Sequence, residues 1–195
     1  MADVSGKFTD VHVHLLALPT PANGCWVSPR MLRKPLARAV SFFMDLPIDD
    51  AETTNRRYLQ RLRAELDASS AVGRVVLLGM DGVYDARGAL ARERTDFLIS
   101  NDAVFEAVAA DPRFLAGVSI NPTRAGALDE IDRCADRGAA LVKWLPNAQA
   151  FDPADPRCRP FYRRLAERGI PLLSHIGFEY SLIGQIGRAS CRERV

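Results

Sequence analysis

Three histidines occur in the 195-residue chain, and each stands where a metal ion could use it. His12 and His14 lie two apart in Phe8-Thr9-Asp10-Val11-His12-Val13-His14-Leu15, and His175 closes Pro171-Leu172-Leu173-Ser174-His175. Both runs read as buried strands ending in a turn. Imidazole is the commonest metal ligand and is largely neutral near physiological pH. Side chains alternate faces along a strand, so Asp10, His12 and His14 are expected on one face and Val11, Val13 and Leu15 on the other. Two imidazoles at i and i+2 can reach one divalent ion. A third from another strand completes a three-histidine set with positions left for water. Zn2+ is the expected ion, because an open site of this kind lowers the pKa of bound water to about 7 and polarises a carbonyl. A His-x-His pair alone is a weak signal, and a satisfied buried histidine or a surface pair is the competing reading. The third histidine, the strand placement and the absence of any other histidine favour the metal.

Other side chains could join that site. Asp10 is expected to support the ligands from below as their hydrogen-bond partner. Asp81 and Asn121 end strand-like runs, and for each both substrate contact and turn formation are open. Lys143, the only lysine after Lys34, stands near the carboxyl end of the apolar run 140–145. Trp144, Phe151 and Tyr162 read as packing, whereas Trp26 and Cys25, on the long loop after the first strand, could line a pocket.

The elements that must position these groups alternate. Strand-like runs cover 8–15, 74–79, 114–120, 140–145 and 171–175. The stretch 50–68 is helical by period, with Tyr58, Leu59, Leu62 and Leu66 on one face and arginines on the other. Asn101-Asp102 opens a helix that ends near Asp111-Pro112. Leu128, Ile131 and Cys134 mark a helix ending at Gly138, and 160–168 another ended by Gly169. A Pro- and Gly-marked segment through Pro19, Pro21 and Gly24 is expected to carry a short helix near 32–43. Five apolar strands separated by helices imply a parallel sheet buried on both faces. Doubly wound sheets and (β/α)8 barrels both fit, and in both the ligand binds at the carboxyl ends of the strands, where the histidines fall.

The run Asp10-Val11-His12-Val13-His14 resembles the opening motif of the amidohydrolase superfamily. Later segments are similar to its amidohydrolase-related branch, which includes aromatic-acid decarboxylases. They are Asn101-Asp102; Pro112-Arg113-Phe114 with Gly117-Val118-Ser119-Ile120-Asn121-Pro122; Leu141-Val142-Lys143-Trp144-Leu145-Pro146; Phe151-Asp152-Pro153-Ala154-Asp155-Pro156; and Gly169-Ile170-Pro171-Leu172-Leu173-Ser174-His175-Ile176-Gly177. The resemblance covers residues 8 to about 180 as an ordered set. It implies a (β/α)8 TIM barrel, present in part as about strands 1–5, with His12, His14 and His175 as ligands from strands 1 and 5. The family also uses a histidine after strand 6 and an aspartate after strand 8, and neither is found in this chain. At the place of Lys143, two-metal relatives carboxylate a lysine that bridges the ions, and one-metal relatives keep it unmodified. A carboxylated bridge, a substrate or supporting contact and a structural role are therefore all open.

The resemblance implies metal-dependent hydrolysis of an amide, ester or lactone in a small-molecule substrate. The alternative keeps the same metal and performs non-oxidative decarboxylation of an unsaturated or aromatic acid. A nuclease of the TatD-like kind would place a glutamate at Lys143 and would need a basic groove. A barrel holding its metal only structurally is the non-enzymatic reading. Net charge is +2, and the 23 arginines among 26 basic residues are scattered on helix faces, so no nucleic-acid partner is expected. Four cysteines without CxxC spacing read as free thiols of a reducing, cytoplasmic compartment. No signal peptide or membrane span is expected, and homo-oligomerisation of the parent protein is open.

The run Ile186-Gly187-Arg188-Ala189-Ser190-Cys191-Arg192-Glu193-Arg194-Val195 resembles, without a mismatch, the translation of a common short-read sequencing adapter. The native sequence is therefore expected to end near Gly184, with 1–184 the N-terminal part of a barrel and 185–195 a non-native tail. A barrel of this class needs about 250 residues, so the piece is expected to be inactive alone and to expose a strand edge that invites association.

Overall fold

The computed structural model describes residues 6–35, 43 and 45–176. The proposed tail 185–195 and most of the helix expected near 32–43 lie outside the described residues. The elements follow the expected alternation: β1 Phe8–His14, β2 Trp26–Val27, α1 Pro29–Leu32, α2 Ala51–Ala68, β3 Val72–Leu78, β4 Phe97–Leu98, α3 Asn101–Ala109, β5 Phe114–Val118, α4 Ala127–Asp136, β6 Leu141–Trp144, α5 Arg159–Glu167 and β7 Leu172–Ser174.

Five strands form one sheet in the order β1-β3-β5-β6-β7, and every pair is parallel. A doubly wound sheet reverses its order at a switch point. Here each strand lies beside the one that precedes it in the sheet's sequence, so winding runs in one direction and the sheet curls into a half-barrel. That decides between the two architectures the sequence left open. The pair β2 and β4 forms a separate antiparallel ribbon that hydrophobic patterning did not reveal, because each strand has two residues.

The two faces of the sheet differ. Val75, Leu77, Ala116, Val118, Val142 and Trp144 share a core with Leu66, Val104, Ile131 and Leu165 from the four longer helices. Each aliphatic side chain buried this way contributes about 1.5–3 kcal/mol. Val76, Leu78 and Leu141, with Leu115 and Leu173, form a second cluster on the concave face. Gly117 is needed there: a Cβ would lie 2.6 Å from Leu78 Cδ2 and 2.7 Å from Val76 Cγ1. Trp144 packs against Phe151, Phe161 and Tyr162 with ring centroids 4.8, 5.0 and 5.6 Å away, which bears out packing for Trp144, Phe151 and Tyr162.

Helix ends carry local signals. Asp50 caps α2 by accepting the Thr53 N–H at 2.9 Å. Ser100, not Asn101, caps α3, accepting the Ala103 N–H at 3.0 Å. The Asn101 side chain is drawn inward instead, accepting the Ser119 N–H at 2.9 Å and donating to Glu130 at 2.7 Å. The arginines stitch adjacent helices: Asp102 of α3 meets Arg133 and Arg137 of α4 at 2.7 and 2.5 Å, and Asp132 of α4 meets Arg164 of α5. Such exposed pairs contribute at most about 1 kcal/mol each.

Candidate metal centre

β1 is not a regular strand. Its register pairs Asp10 with Val75 and Val13 with Leu77, three steps against two, so a bulge occupies Val11 and His12. Strict alternation, which would put Asp10 on the histidine face, is broken there. Asp10 lies in register with Val75, a residue of the helix-facing core. His14 lies in register with Leu78 of the concave face. The bulge frees the His12 N–H from the ladder, and the Asp10 carboxylate accepts it at 2.9 Å. Bulges re-aim side chains in this way beside functional sites.

The bulge turns the two imidazoles toward each other. His12 Nε2 lies 3.2 Å from His14 Nε2, with ring centroids 5.1 Å apart. Both side chains are exposed. The Tyr58 hydroxyl of α2 donates to the His14 carbonyl, and burial pushes that phenol up to about 12, so it stays a donor. Partial burial lowers the His12 pKa from the ordinary histidine value. Nearby Lys143 lowers it further, Asp10 opposes the shift and His175 adds to it. His12 is therefore neutral, as a ligand must be, over a wider pH range than free histidine.

Lys143 and His175 come from the other side of the sheet. Lys143 is in register with Leu173 and is 1% exposed. Burial lowers its pKa, and no carboxylate among the described residues opposes that. The His175 N–H donates to the Trp144 carbonyl at 2.9 Å, which fixes the backbone just beyond β7. His175 Nε2 is buried with no hydrogen-bond partner among the described residues. A buried imidazole nitrogen without a partner costs about 1–3 kcal/mol unless another group meets it.

Asp81 and Asn121 serve a different construction. Asp81 accepts the Asn121 N–H at 2.8 Å, the Gly82 N–H at 2.8 Å and the Tyr84 hydroxyl at 2.7 Å, with Arg124 at 3.4 Å. Burial raises the Asp81 carboxyl above its ordinary range, against those four donors. The Asn121 amide donates to the carbonyls of Gly82 and Gln149 at 2.9 Å each. Gln149, 1% exposed, accepts the Leu145 N–H at 2.8 Å and donates to Ser119 Oγ at 3.2 Å. Ser119 Oγ in turn donates to the Lys143 carbonyl at 2.8 Å. Turn residues from three strand ends thus form one buried polar network that terminates on the backbone of Lys143. Gln149 and Ser119 were not singled out from the sequence. Ser119 follows the apolar end of β5 directly, whereas Gln149 stands five residues beyond β6 and carries no local signal. Trp26 donates from Nε1 to the Thr95 carbonyl at 3.3 Å, and Cys25 is buried as a free thiol.

A family model described as amidohydrolase matches residues 9–192. The chain belongs to the amidohydrolase family. No curated protein matches it. Amidohydrolases generally use divalent metals, and two features of this member fit one. Two nitrogens on a tetrahedral zinc, each about 2.0–2.1 Å from the ion, stand about 3.3 Å apart, and the His12–His14 separation is 3.2 Å. His175 Nε2, buried and without a hydrogen-bond partner among the described residues, has the chemistry of a metal ligand. No group of three His, Cys, Asp or Glu side chains among the described residues is assembled to hold an ion. The structure brings His12 and His14 together and places His175 within electrostatic reach of His12. β1 and β7 are the two outer strands of the curled sheet, so its curl sets their approach. No described helix is long and apolar enough to cross a membrane.

Proposed function

We propose that this amidohydrolase is a metal-dependent hydrolase acting on an amide, ester or lactone bond, with His12, His14 and His175 holding Zn2+. The observation that carries the reading is the facing pair of imidazole nitrogens at the end of β1, in a chain of a family that uses divalent metals. A bound divalent ion supplies Lewis acidity for a carbonyl and makes water acidic enough to ionise near neutrality.

The chain's own residues do the rest. Asp10 holds the bulge through the His12 N–H and so fixes the backbone that carries the imidazole pair. Lys143, buried on the concave face, offers a cation to a carboxylate or to oxyanion charge on the substrate. The apolar wall of Val76, Leu78 and Leu173 excludes water from that cation, which strengthens the attraction. Asp81 and Asn121 hold the loops that frame this end of the sheet.

Because the 195-residue piece is expected to be inactive alone, the test is product analysis with a zinc-loaded protein in which this chain forms part of a whole barrel, against a panel of N-acyl, ester and lactone substrates and of aromatic and unsaturated carboxylic acids. Release of an acid with an amine or alcohol, lost with Lys143→Met, supports hydrolysis. Release of carbon dioxide with the hydrolytic panel untouched would replace this reading by decarboxylation on the same ligands.

A further inference from the structure

β1 ends in a position that its own sheet holds from one side only. Among the described residues it pairs with β3 alone, and its ladder is interrupted by the bulge at Val11 and His12. The Leu15 N–H still donates to the Leu78 carbonyl of β3 at 3.1 Å, and beyond it residues 16–18 pair with no strand among the described residues. Two side chains of α2 grip it through the backbone. The Tyr58 hydroxyl donates to the His14 carbonyl. Three residues earlier, Asn55 accepts the Leu18 N–H at 2.7 Å and donates to the Leu18 carbonyl at 3.0 Å. Residues three apart on a helix share a face, so the two grips act as one clamp on residues 14–18. Asn23 closes it, donating to the Leu18 carbonyl at 2.8 Å.

We propose that Tyr58 and Asn55 are positioning residues for the metal centre: from the outer helical layer, they fix the backbone of His14 and so the separation of the two imidazoles. This rests on the metal-site reading above. Truncating Tyr58 to phenylalanine removes one oxygen and keeps the ring in the core against which it packs. The His14 carbonyl is then released, and the end of β1 samples positions in which its imidazole no longer faces His12. The cost falls on metal binding rather than on the fold, because the strand, the bulge and the helix remain.

A second tyrosine supplies the matched control. Tyr162 also donates from its hydroxyl to a backbone carbonyl, that of Pro153, at 2.5 Å, on the α5 side of the molecule away from β1. Tyr162→Phe therefore makes the same chemical change elsewhere.

The experiment measures Zn2+ dissociation constants by competition with a chromophoric chelator, and the visible absorption of the Co2+-substituted protein, for the parent chain, Tyr58→Phe, Tyr58→Phe/Asn55→Ala and Tyr162→Phe. The expected result is a loss of about tenfold in Zn2+ affinity for Tyr58→Phe, the lower end for groups that orient ligands. A further loss is expected in the double variant, with an altered Co2+ spectrum in both and parent behaviour in Tyr162→Phe. Parent affinity and spectrum in Tyr58→Phe, or an equal loss in Tyr162→Phe, overturns the clamp while leaving the metal site standing. A parent chain that binds neither ion overturns both.

Discussion

At the scale of single residues, the least comfortable group is Lys143. It is 1% exposed on an otherwise aliphatic face, and burial alone depresses its pKa. The folded chain therefore binds that proton less tightly than the unfolded chain. Between the depressed folded pKa and the ordinary lysine value the unfolded state holds more protons, so stability rises with pH across that window. Lys143→Met is expected to remove the rise and to raise stability at pH 7, because the methionine carries no charge that burial penalises. Urea unfolding of both proteins from pH 7 to 10.5 checks this. Lower stability of the methionine variant at pH 7 would mean that Lys143 has a partner the described residues do not supply.

At the scale of elements, the buried network joining the ends of β3, β5 and β6 holds the loops on which the site depends. Gln149→Leu is expected to cost about 1–3 kcal/mol, because it leaves the buried Leu145 N–H without its acceptor. Thermal unfolding checks this, and an unchanged midpoint would show that water replaces the amide. The helices and parallel strands were legible in the sequence because buried strands read as unbroken apolar runs and each longer helix shows an apolar face. The features that shape the site were not legible. The bulge in β1 depends on register against β3, some sixty residues away, and alternation within β1 alone put Asp10 on the wrong side of it. Asn101 looked like a cap because Ser100, one residue earlier, gives the same local signal. Gln149 and Ser119 meet only because three loops converge, a tertiary fact without a local pattern. Tyr58 was correctly placed on the apolar face of α2, but its hydroxyl has a destination that periodicity cannot show.

At the scale of the whole molecule, the described sheet is a half-barrel with two outer strands, β1 and β7, each paired on one side among the described residues. Apolar side chains accompany those edges: Phe8, Val11 and Ile176 are 68%, 48% and 92% exposed. Unpaired edges flanked by apolar groups recruit further strands. The 195-residue chain is therefore expected to associate with rising concentration, and Val11→Lys/Ile176→Lys to suppress it, as light scattering would show; a monodisperse parent would remove the argument. Purified protein loaded with Zn2+ and freed of excess metal should carry about one ion per chain by elemental analysis, and His12→Ala, His14→Ala and His175→Ala should each lose it. Full occupancy in all three variants, or no bound ion in the parent chain, would contradict the account.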